Sequence, residues 1–425
     1  MTRLASLLPH GSARRGIART TLVIGASLLF NTAAGVIVSR QLGAEGRGHF
    51  AAIVAWYSVA LVLADVGQTA SVTYNVATSH GSAARFIASA RMVMAGSGII
   101  VGTVGIAFSG ILAGGDPQVA LAYRIAFACC FIQAISGPFV FALQAAALEK
   151  WNQARLAQPA SYLAVIVGFM LMEKLNLVTV SLALLMSIGF QGVLAWAHCK
   201  RLSITGWRPE RAASRALLAF GLPHAAAAIP ATLGASIDKI ALSRFVQPAE
   251  LGQYSVASTV ISLGAIMVAA VGNVMFPLLS RPGVNPQERV AAEKLSLRVT
   301  VLGSTAVCLL LSFSGPWLIP LVFGPGFEGA TRLLFWLIPG LVAGTAAILV
   351  GDLLRARRMP GAVAVAQWLG VATTAVGIGL IAPQYALEGT AVATALGQSV
   401  CLAAALIALR RARAAAAHDA RTGTS

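Results

Sequence analysis

Runs of about twenty apolar residues, parted by short gaps that hold most of the charge, recur from one end of the chain to the other. A helical run of that length covers about 30 Å of hydrocarbon, and a helix pairs its own backbone polar groups where no water can reach them. Twelve runs are legible, near 18–40, 49–72, 91–113, 119–146, 156–173, 177–198, 215–237, 252–279, 297–323, 329–350, 361–382 and 386–409. The fold class they imply is an all-α polytopic membrane protein. Composition agrees: 57% of residues are hydrophobic, 11% are charged and the mean hydropathy is +0.79, too apolar for a soluble globule.

Lys and Arg number 31 against 14 Asp and Glu, a formal net charge of +17. This excess forms no continuous basic face, so nucleic acid is not an expected partner. It sorts by gap instead. With the N-terminus inside, 24 of the 31 basic residues fall on the cytoplasmic side, as the positive-inside rule requires. The seven outside are Arg40, Arg47, Arg124, Lys174, Lys239, Arg244 and Arg332. Arg3, Arg14, Arg15 and Arg19 precede a long run without a small-x-small cleavage site, which reads as an uncleaved first span. Both termini are then cytoplasmic. The five cysteines lie within or at the ends of apolar runs without C-x-x-C spacing, as membrane-packing residues and not as a disulfide framework or metal site.

The chain also echoes itself. Ser39-Arg40 matches Ser243-Arg244, Gly48 matches Gly252 and Phe50 matches the aromatic Tyr254, all at a separation of 204 residues. A self-match near half the chain length marks a duplicated lobe, and six runs per half enter the membrane in the same orientation. Two six-helix lobes, related by a pseudo-two-fold axis along the membrane normal, are expected. Their ranges are 18–198 and 215–409, with an N-tail at 1–17, a linker at 199–214 around Arg208-Pro209-Glu210-Arg211, and a C-tail at 410–425. Residues Gln287 to Lys294 read as a short, solvated surface helix. Gly98 and Gly102 form a small-xxx-small pair for close helix packing, and no strand precedes them to make a nucleotide loop.

Asp238-Lys239, Leu242-Ser243-Arg244 and Leu251-Gly252-Gln253-Tyr254-Ser255-Val256-Ala257 together resemble the seventh-span signature of bacterial polysaccharide flippases. Those proteins belong to the multidrug/oligosaccharidyl-lipid/polysaccharide exporter superfamily. The stretch from Leu42 to Ala51 resembles that family's opening loop, and Asp65-Val66-Gly67 fits its second segment. The resemblance implies a carrier in the bacterial cytoplasmic membrane that moves an undecaprenyl-pyrophosphate-linked oligosaccharide outward by alternating access. Its implied partners are that lipid-linked oligosaccharide, membrane lipids, a polysaccharide polymerase and glycosyltransferases.

Nothing in the residues points to catalysis or to a cofactor. There is no Walker A pattern, no H-E-x-x-H, and no loop with room for an acid/base constellation beside a sugar-binding domain. The informative residues are polar ones inside spans, because a mid-membrane charge carries an insertion penalty of roughly 2.5–3.5 kcal/mol. Asp65 falls about two-thirds through the second run, Arg124 about a turn into the fourth, and Asp238 and Lys239 end the seventh. Each acid, and Lys239, is either a cavity group or a structural cap or ion pair. Arg124 and Lys239 are expected to point into a water-filled cavity between the lobes and to contact the anionic head group. Arg40 and Arg244 sit near the outer interface, where they snorkel or join the cavity. Asn31, Gln68, Gln133, Gln144, His224, Asn273, Gln367 and Gln398 add uncharged polar positions.

A pyrophosphate-linked sugar needs cations for its phosphates, and amides and aromatics for its sugars. A drug or cation exporter needs buried carboxylates instead. Membrane-embedded acids are few here, and cations match or outnumber them, which favours the lipid-linked saccharide. The two alternatives are a multidrug or cation antiporter coupled through Asp65, and a non-transporting scaffold of a glycan-assembly complex.

Overall fold

The computed structural model describes residues 11–79, 82–263, 286–357 and 359–422, and they are helical throughout apart from short connections. The helices are α1 (Gly11–Asp65), α2 (Gln68–Thr78), α3 (Ala83–Leu112), α4 (Pro117–Ala146), α5 (Leu148–Leu171), α6 (Leu177–Arg201), α7 (Arg211–Phe245), α8 (Pro248–Ser262), α9 (Pro286–Phe323), α10 (Gly329–Ala356) and α11 (Pro360–Thr422). Among the described residues nine are long and apolar enough to cross a membrane. Two of these are double length and carry a backbone break. α1 leaves helical geometry at Gly43 (φ 65°, ψ −171°), and α11 does so at Ala386 (φ 41°, ψ −110°). Each break falls where the sequence parts two apolar runs. Asn273, Pro277 and most of the expected run 252–279 lie outside the described residues, as do residues 1–10 of the N-tail and Arg358.

The second run does not stay helical to residue 72. It stops at Asp65, because Val66 (φ 49°) and Gly67 (φ 73°) both take left-handed backbone, and α2 begins afresh at Gln68. Asp65 stabilises that restart: its Oδ1 accepts the Thr69 amide at 3.1 Å and the Thr69 hydroxyl at 2.8 Å. Elsewhere the helix starts follow local sequence. Asp116 accepts the Gln118 and Val119 amides (2.7 and 3.1 Å) ahead of Pro117, and Asn176 and Thr179 close a capping box on α6.

The chain forms two compact units, residues 1–229 and 230–425, parting within α7. In the first, Val72, Phe86, Met94, Phe139 and Leu217 join α2, α3, α4 and the start of α7 in one core; Val38, Phe50, Tyr162 and Val180 join α1, α5 and α6 in another. The Gly98/Gly102 pair does pack closely. A Cβ on Gly98 would lie 2.7 Å from that of Ala134, and one on Gly102 would lie 2.7 Å from the Phe131 ring. The connection before α7 is pinned to this unit and does not hang free. Glu210 and Ser89 exchange hydrogen bonds (3.0 and 3.3 Å), and the Arg91 guanidinium lies 4.4 Å from the Trp207 ring centre.

In the second unit, Val350, Leu354, Val363, Cys401 and Leu409 pack α10 against both halves of α11. One expectation is corrected here. Residues Gln287 to Lys294 are the first turns of the 38-residue α9, and Glu293 is 1% exposed, not solvated. Its carboxylate takes Arg357 Nη2 at 2.6 Å, and Arg413 Nε and Nη2 at 2.9 and 2.6 Å. Two strong donors make burial of this side chain tenable, where an unpaired carboxylate would be expelled. Arg413 belongs to α11, which runs on to Thr422 through the stretch expected as a tail.

Candidate functional site

The second unit holds a cavity of about 360 Å³ lined by α7, α8, α10 and both halves of α11. Small residues make the room. Gly344, Gly351 and Arg355 recur at seven and four residues along α10, so they share one face, and the absent side chains leave volume beside the guanidinium. Gln398 borders that space, its Oε1 3.1 Å from where a Cβ on Gly344 would stand. Gln367 and several hydroxyl side chains complete a lining that is apolar in area and polar at chosen points.

Asp238 and Lys239 both line this cavity. Asp238 is buried, with three donors on its carboxylate: the Tyr254 hydroxyl at 2.9 Å, the Lys239 amide at 2.8 Å and the Lys239 ammonium at 3.4 Å. Tyr254 is itself fully buried, so its hydroxyl is aimed by packing on every side. Arg355 is the second cation of the lining, held at 2.7 Å by Asp352 one turn back.

The other expected site residues lie elsewhere. Asp65 caps α2 in the first unit, as described above. Arg124 is exposed on α4 and donates from Nε to the Ser109 hydroxyl at 3.0 Å, tying α4 to α3. Arg40, three residues before the Gly43 break, and Arg244, in the last turn of α7, are both exposed. Among the described residues no three His, Cys, Asp or Glu side chains cluster as a metal site would require.

A family model described as "Polysaccharide biosynthesis protein" matches residues 13–282, well over half the chain. The chain belongs to that family. No curated protein matches its sequence. Solved structures share its fold across nearly its whole length. It is similar to the lipid II flippase MurJ in an inward closed conformation (TM-score 0.77, 13% identity, covering 92% of this chain and 87% of that one). It is also similar to a multidrug resistance MATE family transporter of the MOP superfamily in an inward-facing conformation (TM-score 0.71, 16% identity, 94% and 96%). A third is a MOP superfamily transporter from Pyrococcus furiosus (TM-score 0.66, 15% identity, 95% and 97%). At these identities the likeness is one of fold: a multi-pass, all-helical membrane protein built as the MOP transporters are.

The sequence reading of this family member singled out Asp238, Lys239, Gln367 and Gln398, which line the candidate cavity, but not what surrounds them. Arg355 counted only as a cytoplasmic charge, although the glycines at 344 and 351 on its own face signal a space beside it. Tyr254 stood out only as the counterpart of Phe50. Its role as donor to Asp238 depends on the turn between α7 and α8 bringing residues sixteen apart together.

Proposed function

We propose that this protein carries a polyprenyl-pyrophosphate-linked oligosaccharide from the inner to the outer leaflet of a bacterial cytoplasmic membrane by alternating access. Membership of the polysaccharide biosynthesis family and the fold shared with transporters support the class of activity. The observation that carries the substrate class is the cavity lining: two cations, amides and hydroxyls, with one carboxylate that is already satisfied.

That arrangement has a working logic. An arriving phosphate draws the Lys239 ammonium away from Asp238. The acid is left with the Tyr254 hydroxyl and the Lys239 amide, so its burial stays tolerable throughout. Arg355 brings positive charge to the cytoplasmic end of the same lining, while Gln367 and Gln398 offer the paired donor and acceptor that sugar hydroxyls use. Arg40, Arg124 and Arg244 are each expected on the outer side, where the head group leaves. The antiporter reading loses its main support in Asp65, whose carboxylate is engaged in starting α2.

The architecture proposed with this function has twelve spans in two six-helix lobes, 18–198 and 215–409, related by a pseudo-two-fold along the membrane normal, with cytoplasmic termini. The two breaks at Gly43 and Ala386 favour that count. Three of the four echoed pairs have like environments: Arg40 and Arg244 are exposed, Gly48 and Gly252 are buried, and so are Phe50 and Tyr254, whereas Ser39 is buried and Ser243 only half-buried. A polymerase and glycosyltransferases are the working partners such a carrier needs.

Deletion in the source organism tests the reading. Lipid-linked saccharide is expected to accumulate in the inner leaflet while surface glycan falls. Normal surface glycan with a new sensitivity to cationic drugs would point to the antiporter instead.

A further inference from the structure

Within the first unit, the Tyr74 and Phe220 rings stack with centres 4.5 Å apart and planes within 7° of parallel. Tyr74 is 51% exposed and Phe220 39%, so the pair is a rigid slab with an open side, not a core contact. Its mount is firm. The Ser71 hydroxyl, one turn before Tyr74 on α2, donates to the Leu217 carbonyl on α7 at 2.8 Å and is fully buried. Gly67 meets the Gly221 backbone directly.

The groups around the slab are polar and open. His224 lies one turn beyond Phe220 on the same face of α7 and is exposed. Thr73, next to Tyr74, donates its hydroxyl to the Thr69 carbonyl at 2.8 Å and lies 3.3 Å from the Gln144 Oε1, and Gln144 is exposed. Among the described residues neither the Tyr74 hydroxyl nor the Gln144 amide nitrogen has a protein partner. Hydrocarbon is a poor neighbour for such a surface, since each unpaired polar group there carries a penalty; water or a polar ligand is the neighbour it fits. Tyr74 sits four residues from the end of α2, and Phe220 nine residues into α7. Both are therefore toward the membrane side that carries Arg85, Arg91 and the connection before α7.

We propose that the Tyr74–Phe220 slab is a saccharide-binding platform. A sugar ring lies with its C–H face on the open side of the aromatic pair, and its hydroxyls are taken by the Tyr74 hydroxyl, the Gln144 amide and His224. An aromatic face with hydrogen-bonding groups at its margin is complementary to a pyranose, which has an apolar face and a polar rim. None of the residues named at the slab is an arginine or lysine, so these groups suit the sugar and not the phosphates. The proposal rests on the reading that the chain carries a lipid-linked saccharide, and adds where the sugar is recognised.

The test uses the full chain in nanodiscs and native mass spectrometry to compare polyprenyl pyrophosphate with the same lipid bearing a hexose, an N-acetylhexosamine or a uronic acid. At least one sugar is expected to tighten binding to the wild type. Tyr74→Ala and Phe220→Ala should each remove about three- to tenfold of that gain while leaving the bare lipid's affinity unchanged. Tyr74→Phe keeps the stack and should retain most of the gain. If the gain survives both alanine variants, or if no sugar tightens wild-type binding, the platform is wrong and the carrier reading stands on the bare lipid. If neither the bare nor the glycosylated lipid binds the wild type, the carrier reading and the platform fall together.

Discussion

Gly67 and Gly221 touch through their backbones. A Cβ on Gly67 would collide with the Gly221 carbonyl oxygen, and one on Gly221 would lie 2.9 Å from the Val66 carbonyl oxygen. The break after Asp65 and the first turns of α7 are thereby locked face to face. Gly67 also needs its left-handed φ of 73°, which a side chain opposes.

Gly67→Ala therefore meets both strain and overpacking and is expected to lower stability by about 3 kcal/mol. Gly96→Ala is the control, since nothing lies within 4 Å of its added Cβ; it should stay within about 0.5 kcal/mol. Thermal unfolding of the purified variants in detergent measures the difference. Equal midpoints for the two would refute the lock.

Glu293 joins α9, α10 and α11 through Arg357 and Arg413, and all three charges are largely out of solvent. Glu293→Ala leaves two arginines without their acid and should destabilise by about 3–5 kcal/mol. In a double-mutant cycle with Arg413→Ala, the two losses should fall short of additive by about 0.5–3 kcal/mol. Strict additivity would mean that the pair contributes nothing. Ending the chain at Leu409 removes Arg413 and should also lower the unfolding midpoint.

In the proposed topology Glu45 and Glu328 lie outside, and both are exposed. The five native cysteines are buried and free, so Glu45→Cys and Glu328→Cys supply the reactive thiols. A membrane-impermeant maleimide added to intact cells is expected to label both. Labelling only after the cells are opened would invert the topology.

What the sequence conveys about this protein follows from how local each signal is. Apolar runs are local, so the long apolar helices and the break between the last two runs could be read; Ala386 falls where 361–382 gives way to 386–409. Asp65-Val66-Gly67 was visible as a motif, yet an apolar window reads straight through it. The end of α1 depends on two left-handed residues braced by Gly221, which is 154 residues away in sequence. Glu293 misled for a similar reason. Alternating charge and apolar residues look like a solvated helix until Arg357 and Arg413, 64 and 120 residues further on, are folded against it. The cavity lay between these cases. Its Asp238, Lys239 and amides could be picked out as charges and polar groups inside runs, but the glycine face of α10 that makes room for them could not be assigned to any one neighbour.

Translocation in proteoliposomes tests the central claim most directly, with a fluorescent polyprenyl-pyrophosphate-linked saccharide in the inner leaflet and its outward movement read by a membrane-impermeant quencher. Wild-type protein should move the lipid well above the protein-free rate. Lys239→Ala should reduce that rate by about tenfold or more, as loss of a charge-assisted phosphate contact implies, and Lys239→Arg should keep part of it. Movement no faster than in protein-free liposomes, or a rate that Lys239→Ala leaves unchanged in a normally folded protein, would contradict the account.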